Sequence, residues 1–89
     1  MGLDTVEFVI LAEKEFELQL LDDEVSLVAT VGDFTDLIHQ KLLIKHGLKT
    51  CPSQNEIYDT IKSLLIKQFA TPEVKISRDA RFVQDLQMD

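Results

Sequence analysis

The sequence predicts an all-α fold: a small four-helix bundle in a single domain spanning residues 1–89. Three observations carry that expectation. Apolar residues recur at helical spacing in three separate stretches. No stretch alternates apolar and polar residues with a clean period of two, so a sheet is not expected. Leu, Ile, Val and Phe together number 32 of the 89 residues, well above the level of disordered chains. For a chain of 10.2 kDa, area scaling gives roughly 5,300 Å² of folded surface against about 14,800 Å² unfolded, enough burial for one core and no second domain.

The elements follow in order. The first helix is expected from about Leu3 to Phe16. A short second element covers Asp22 to Val28. A third helix begins at Thr30 and carries Phe34, Leu37, Ile38 and Leu42 at i, i+3, i+4 and i+8. Thr30-x-x-Asp33 is a capping signature, and the acid is also favoured by the helix dipole. Gly47 and Pro52 mark residues 43–52 as a helix stop and connector. The longest helix runs from Ser53 to about Phe69. It opens on a second capping box, Ser53-x-x-Glu56, with Ile57, Ile61, Leu64, Leu65 and Phe69 as its apolar stripe. Beyond Pro72 the chain is less regular, with Val74, Ile76, Phe82, Val83 and Leu86 as its expected anchors.

Charge narrows the function classes. The net charge is −7, a field that repels phosphate backbones and makes nucleic acid an unsuitable partner. Residues 1–36 hold ten acids and only Lys14, whereas residues 37–89 carry a slight basic excess. A concentrated acidic surface suits a protein partner with a basic patch. The single cysteine, Cys51, cannot staple a monomer, which fits a reducing, cytoplasmic compartment. The longest apolar run, Phe8 to Ala12, is too short to span a bilayer, so no membrane association is expected. Val6 stands where an N-myristoylation signal wants Ser or Thr.

The first helix carries two apolar faces. At 100° per residue, Phe8, Ala12 and Phe16 share one side with Val9 at its margin, while Leu3, Val6 and Ile10 fall nearly opposite. On one reading the second face is also core, covered by residues 74–89. On the other it is an exposed apolar strip rimmed by carboxylates, whose centre supplies affinity and whose rim steers association. Leu3, Asp4, Val6, Glu7, Ile10, Glu13 and Asp89 are the residues of that candidate docking surface.

These blocks resemble the acyl carrier protein family. Leu3-Asp4-Thr5-Val6-Glu7 with Glu13-Lys14-Glu15-Phe16 looks like the family's second helix. Asp22-Asp23-Glu24 and Thr30-Val31-Gly32-Asp33 look like its third helix and the entry to its fourth. Glu56 to Asp89, with Phe82-Val83-Gln84-Asp85-Leu86, is similar to its first helix and the long loop after it. In the family that block comes before the second helix; here it comes last. The resemblance thus implies a circularly permuted bundle in the helix order II-III-IV-I, with the new termini meeting at one pole. Permutation is tolerated where ends lie close together at the surface.

The seam between the blocks is where the resemblance places the family's Asp-Ser-Leu, whose serine carries 4′-phosphopantetheine. Here Asp89 stands on one side, Leu3 on the other, and Gly2 occupies the serine position without a hydroxyl. Ser26, Ser53, Ser63 and Ser77 lack that context. The resemblance and the departure together imply a carrier-like interaction module with no prosthetic group and no catalytic residues, docking on acyl-processing or related partners. The alternative is a working acyl or peptidyl carrier of fatty acid or polyketide-type biosynthesis, modified at a non-standard site. His39, His46 and Cys51 make a poor zinc signature, and Asp22-Asp23-Glu24 lacks the spacing of a calcium loop. No Ser/His/Asp or Cys/His set is present as a motif, so an enzyme is not expected. A closed monomer is expected, with a domain-swapped dimer as the structural alternative.

Overall fold

A computed structural model describes the backbone of residues 3–47 and 49–86. Four α-helices account for most of it: α1 (Leu3–Phe16), α2 (Asp22–Val25), α3 (Val31–His46) and α4 (Gln54–Phe69), followed by a 3-10 turn at Glu73–Lys75. Among the described residues there is no strand, only an isolated antiparallel bridge between Thr30 and Arg81. The fold is therefore the all-α four-helix bundle that the apolar spacing predicts.

α1 starts with Asp4 in its first turn and ends with Lys14 in its last, both favourable to the helix dipole. Glu17 then adopts a left-handed conformation, φ 54°, and the Leu18 amide donates back to the Glu13 carbonyl at 3.0 Å. This is the α-left termination that satisfies an otherwise orphaned helix carbonyl.

α2 is shorter than the Asp22–Val28 expectation. It ends at Val25 because the Ser26 hydroxyl donates to the Asp23 carbonyl at 2.9 Å, offering the backbone an alternative to helix. α3, by contrast, is longer than expected. It continues through Leu43, Ile44, Lys45 and His46, so the connector begins only at Gly47 instead of at residue 43. Periodicity missed this because the last turn's Ile44 is exposed, off the buried stripe. α4 begins one residue after its cap, as Ser53 accepts from the Glu56 amide at 3.2 Å through its hydroxyl.

The start of α3 is the most heavily tied point of the fold. Thr30 Oγ1 accepts from the Asp33 amide at 3.1 Å, and Asp33 Oδ2 accepts from the Thr30 amide at 3.3 Å, completing the reciprocal capping box. The next orphan amides are met by the C-terminal segment. Val31 donates to the Ala80 carbonyl at 3.0 Å and Gly32 to the Arg78 carbonyl at 2.8 Å, while Phe82 donates to Ala29 at 3.2 Å. Residues 76–86 thus form a strap across the bundle, anchored by buried Ile76, Ala80, Phe82 and Leu86. Val74 and Val83, expected among those anchors, are exposed; the 3-10 turn leaves Val74 in solvent.

α4 packs against both α3 and α1, and its Ile57, Ile61 and Leu65 are fully buried at the middle of the core. At the other side of that core Phe8 sits among Phe34, Phe82 and Phe69 with ring centroids 5.1, 5.5 and 6.0 Å away. These tilted and edge-on geometries are the favourable ones for aromatic pairs. Thr35 is buried with its hydroxyl donating to the Val31 carbonyl at 2.9 Å, so its polarity costs the core little.

Candidate interaction surface

The strip on α1 follows from how that helix is pinned. Phe8 is 2% exposed and Ala12 0%, held by α3, α4 and the strap. That orientation turns the opposite side outward, and Val6 and Ile10 are each 44% exposed. The reading in which residues 74–89 cover this second face is therefore corrected for Val6 and Ile10. The strap packs instead over the Phe8 side, where Phe82 meets Phe8 and Phe34.

Of the rim, Asp4 and Glu7 are exposed. Glu13 is half-buried, and its Oε2 accepts from the Leu20 amide at 2.8 Å, so its carboxylate also holds the turn after α1. Gly2, Asp89 and the side chain of Leu3 lie outside the described residues, and so does the expected meeting of the chain ends. The structure thus exposes Val6, Glu7 and Ile10 on one face of α1, gives Glu13 a second task, and corrects the place of Asp4, which is exposed but lies round the helix on the Phe8 side of the strip.

Sequence reasoning missed a cavity of about 330 Å³ between α1, α2 and the strap. Phe8, Val9, Val25, Phe34, Phe82 and Val83 supply most of its apolar lining, with Thr5, Arg81 and Gln84 as polar members. Arg81 Nη1 donates to Gln84 Oε1 at 2.8 Å. The volume lies at the lower end of the range for small-ligand sites. The signal that could have found it was the marginal position of Val9 on the inner face of α1 together with the run Phe82-Val83.

Elsewhere the acidic turn of α2 is solvated. Its Glu24 bonds Lys41 at 2.7 Å, and that hydrogen bond is the main reason its carboxyl is held below the ordinary range. Cys51 is half-buried with Sγ 3.9 Å from the His39 carbonyl, while His46 is exposed. Among the described residues no three His, Cys, Asp or Glu side chains come together as a metal site. No described helix is long and apolar enough to cross a membrane.

Comparison with known proteins places one part of this chain. No family model and no solved structure matches it. Acyl carrier proteins from two strains of Porphyromonas gingivalis are each 45% identical to it over 41 residues, 46% of this chain and 53% of theirs. The similarity is to acyl carrier proteins. This chain spans about half the length of the curated relatives it matches. Over that stretch it is acyl-carrier-like.

Proposed function

We propose that this chain is a circularly permuted, carrier-shaped interaction module that docks on an acyl-processing or related protein without carrying 4′-phosphopantetheine. The observation that carries the reading is the pair Val6 and Ile10, both 44% exposed on a helix whose opposite face is the core. An apolar strip of this kind flanked by Glu7 and Glu13 fits a partner surface with an apolar centre and a rim of Lys or Arg. The net charge of −7 makes the encounter salt-sensitive.

The permuted order is supported by the extent of the similarity. A collinear comparison of a permuted chain can follow only one of its two blocks, and a match of 41 residues, 53% of the relatives' length, has the extent of one block. The connector after α3 is short, yet loop closure over such lengths costs little entropy. As for the prosthetic group, its attachment needs a hydroxyl, and Gly2 has none. Two of the other serines are committed elsewhere, Ser53 to the α4 cap and Ser26 to the Asp23 carbonyl. Ser63 and Ser77 are exposed but lack the Asp-Ser-Leu context, and at the position where the resemblance places the attachment Gly2 does not fit the group.

The second reading is a carrier that is loaded at another serine, and the apolar cavity of about 330 Å³ favours it, since such a space suits an alkyl chain. Co-expression with a broad-specificity phosphopantetheinyl transferase followed by intact mass separates the two. An unchanged mass is the expected result; a stoichiometric gain of the prosthetic mass establishes the second reading instead. For the docking face, Val6→Ser with Ile10→Ser should abolish partner binding, and Glu7→Lys with Glu13→Lys should weaken it and flatten its salt dependence. Unchanged binding in both pairs removes this face from consideration.

A further inference from the structure

We infer that Gly47 is the conformational lock that keeps this chain a closed monomer, and that the partner built into the fold is a second copy exchanging α4 and the strap. The inference is independent of the carrier reading. It rests on the geometry of the chain reversal between α3 and α4.

A closed subunit must turn back between His46 and Gln54, because α4 packs along α3 in the same core. Gly47 has φ 80° and ψ 173°, a region that side-chain-bearing residues scarcely enter. The bonds around it are helical in register. Gly47 donates to the Leu43 carbonyl at 2.8 Å, and Cys51 donates to the Gly47 carbonyl at 3.1 Å. The Thr50 hydroxyl also reaches the His46 carbonyl, again four residues back. A methyl group on Gly47 would meet nothing within 4 Å, so the requirement for glycine lies in the backbone and not in packing.

Any residue that returns position 47 to right-handed helix removes the reversal. α3 then lengthens towards Cys51 at about 1.5 Å per residue. That leaves Pro52, with its fixed φ, and Ser53, which is committed to capping α4. Two residues so constrained start α4 about 7 Å further along α3, out of register with its own core. The core contacts of Ile57, Ile61 and Leu65 can still be made on the α1 and α3 of a neighbour, where the surfaces are identical. The product is a pair of complete bundles, each built from α1–α3 of one copy and α4 with residues 71–86 of the other, each still presenting Val6 and Ile10.

Light scattering on the full chain tests this. The native chain should be monomeric, and Gly47→Ala should raise the dimer association constant by about tenfold or more. Inserting four Gly/Ser residues after Thr50 in Gly47→Ala should restore the monomer, since a longer loop can reverse without a strained residue. A Gly47→Ala chain that stays monomeric overturns the proposal, and so does a dimer that survives the insertion, because that dimer docks by some other face. If Gly47→Ala does not fold, mixing Phe8→Asp with Ile61→Asp chains decides. Each variant ruins a different half of the bundle, so exchange assembles one intact bundle and a one-to-one heterodimer that regains helical signal. No gain on mixing overturns the proposal.

Discussion

The Gly32 amide donates to the Arg78 carbonyl at 2.8 Å, and a Cβ on Gly32 would lie 2.9 Å from that same oxygen. This contact fixes the strap against the start of α3, and it leaves no room for a side chain. The obstructing atom is backbone that is itself held by neighbouring bonds from Val31 to Ala80 and from Phe82 to Ala29. Gly32→Val should therefore destabilise the fold by about 2–3 kcal/mol, the scale of overpacking. Gly32→Ala should cost less, because about 1 kcal/mol of helix propensity is recovered. Urea unfolding of both variants checks the order.

Phe8 joins α1 to everything else in the core, with three aromatic neighbours within 6.0 Å. Phe8→Ala should lose about 3–5 kcal/mol. Against a total of roughly 4–13 kcal/mol for a chain of this size, that is a large share of the stability and at the lower end unfolds the chain. Thermal melting followed by circular dichroism reads the loss directly.

Two helix ends carry non-glycine residues in left-handed geometry, Glu17 at φ 54° and Ala70 at φ 53°. Glycine accepts that conformation without the Cβ penalty. Glu17→Gly and Ala70→Gly should each raise stability by about 0.5–1 kcal/mol, in contrast to the loss expected of Gly47→Ala in the closed monomer. Parallel denaturant titrations distinguish the two signs.

The Glu24 carboxyl is held below its ordinary range, chiefly by its hydrogen bond to Lys41. A carboxylate depressed on folding contributes stability above its unfolded value, and that contribution disappears as pH falls through the folded value. The stability difference between the native chain and Glu24→Gln should accordingly be full at neutral pH and shrink as the solution is acidified below the usual carboxylate range. A difference that stays constant into acid would mean that the Lys41 contact contributes nothing. High salt should reduce it as well.

Helix starts were legible wherever a short polar side chain precedes an apolar stripe: Thr30 caps α3 with the full reciprocal box that its spacing indicates, while Ser53 caps α4 through its own hydroxyl without the expected return bond from Glu56. Helix ends were harder to read. Ser26 bonds locally and cuts α2 short, while α3 runs on through exposed Ile44 until Gly47 stops it. Of the candidate docking strip, the two faces of α1 were visible from periodicity alone, but which one is buried was open. The settling fact is where the strap lies, and its course depends on amides of Val31 and Gly32 finding carbonyls of Ala80 and Arg78 some fifty residues away.

Local chemistry thus determined the helical class, the caps, the charge and the existence of a second apolar side on α1, because each depends on neighbours within a turn or two of chain. Tertiary packing alone decided that Val6 and Ile10 face solvent, that Glu13 holds the turn after α1, and that a cavity lies beneath the strap. Those outcomes arise from long-range closure, in which distant backbone groups satisfy one another and choose which of several plausible apolar surfaces is withdrawn from water.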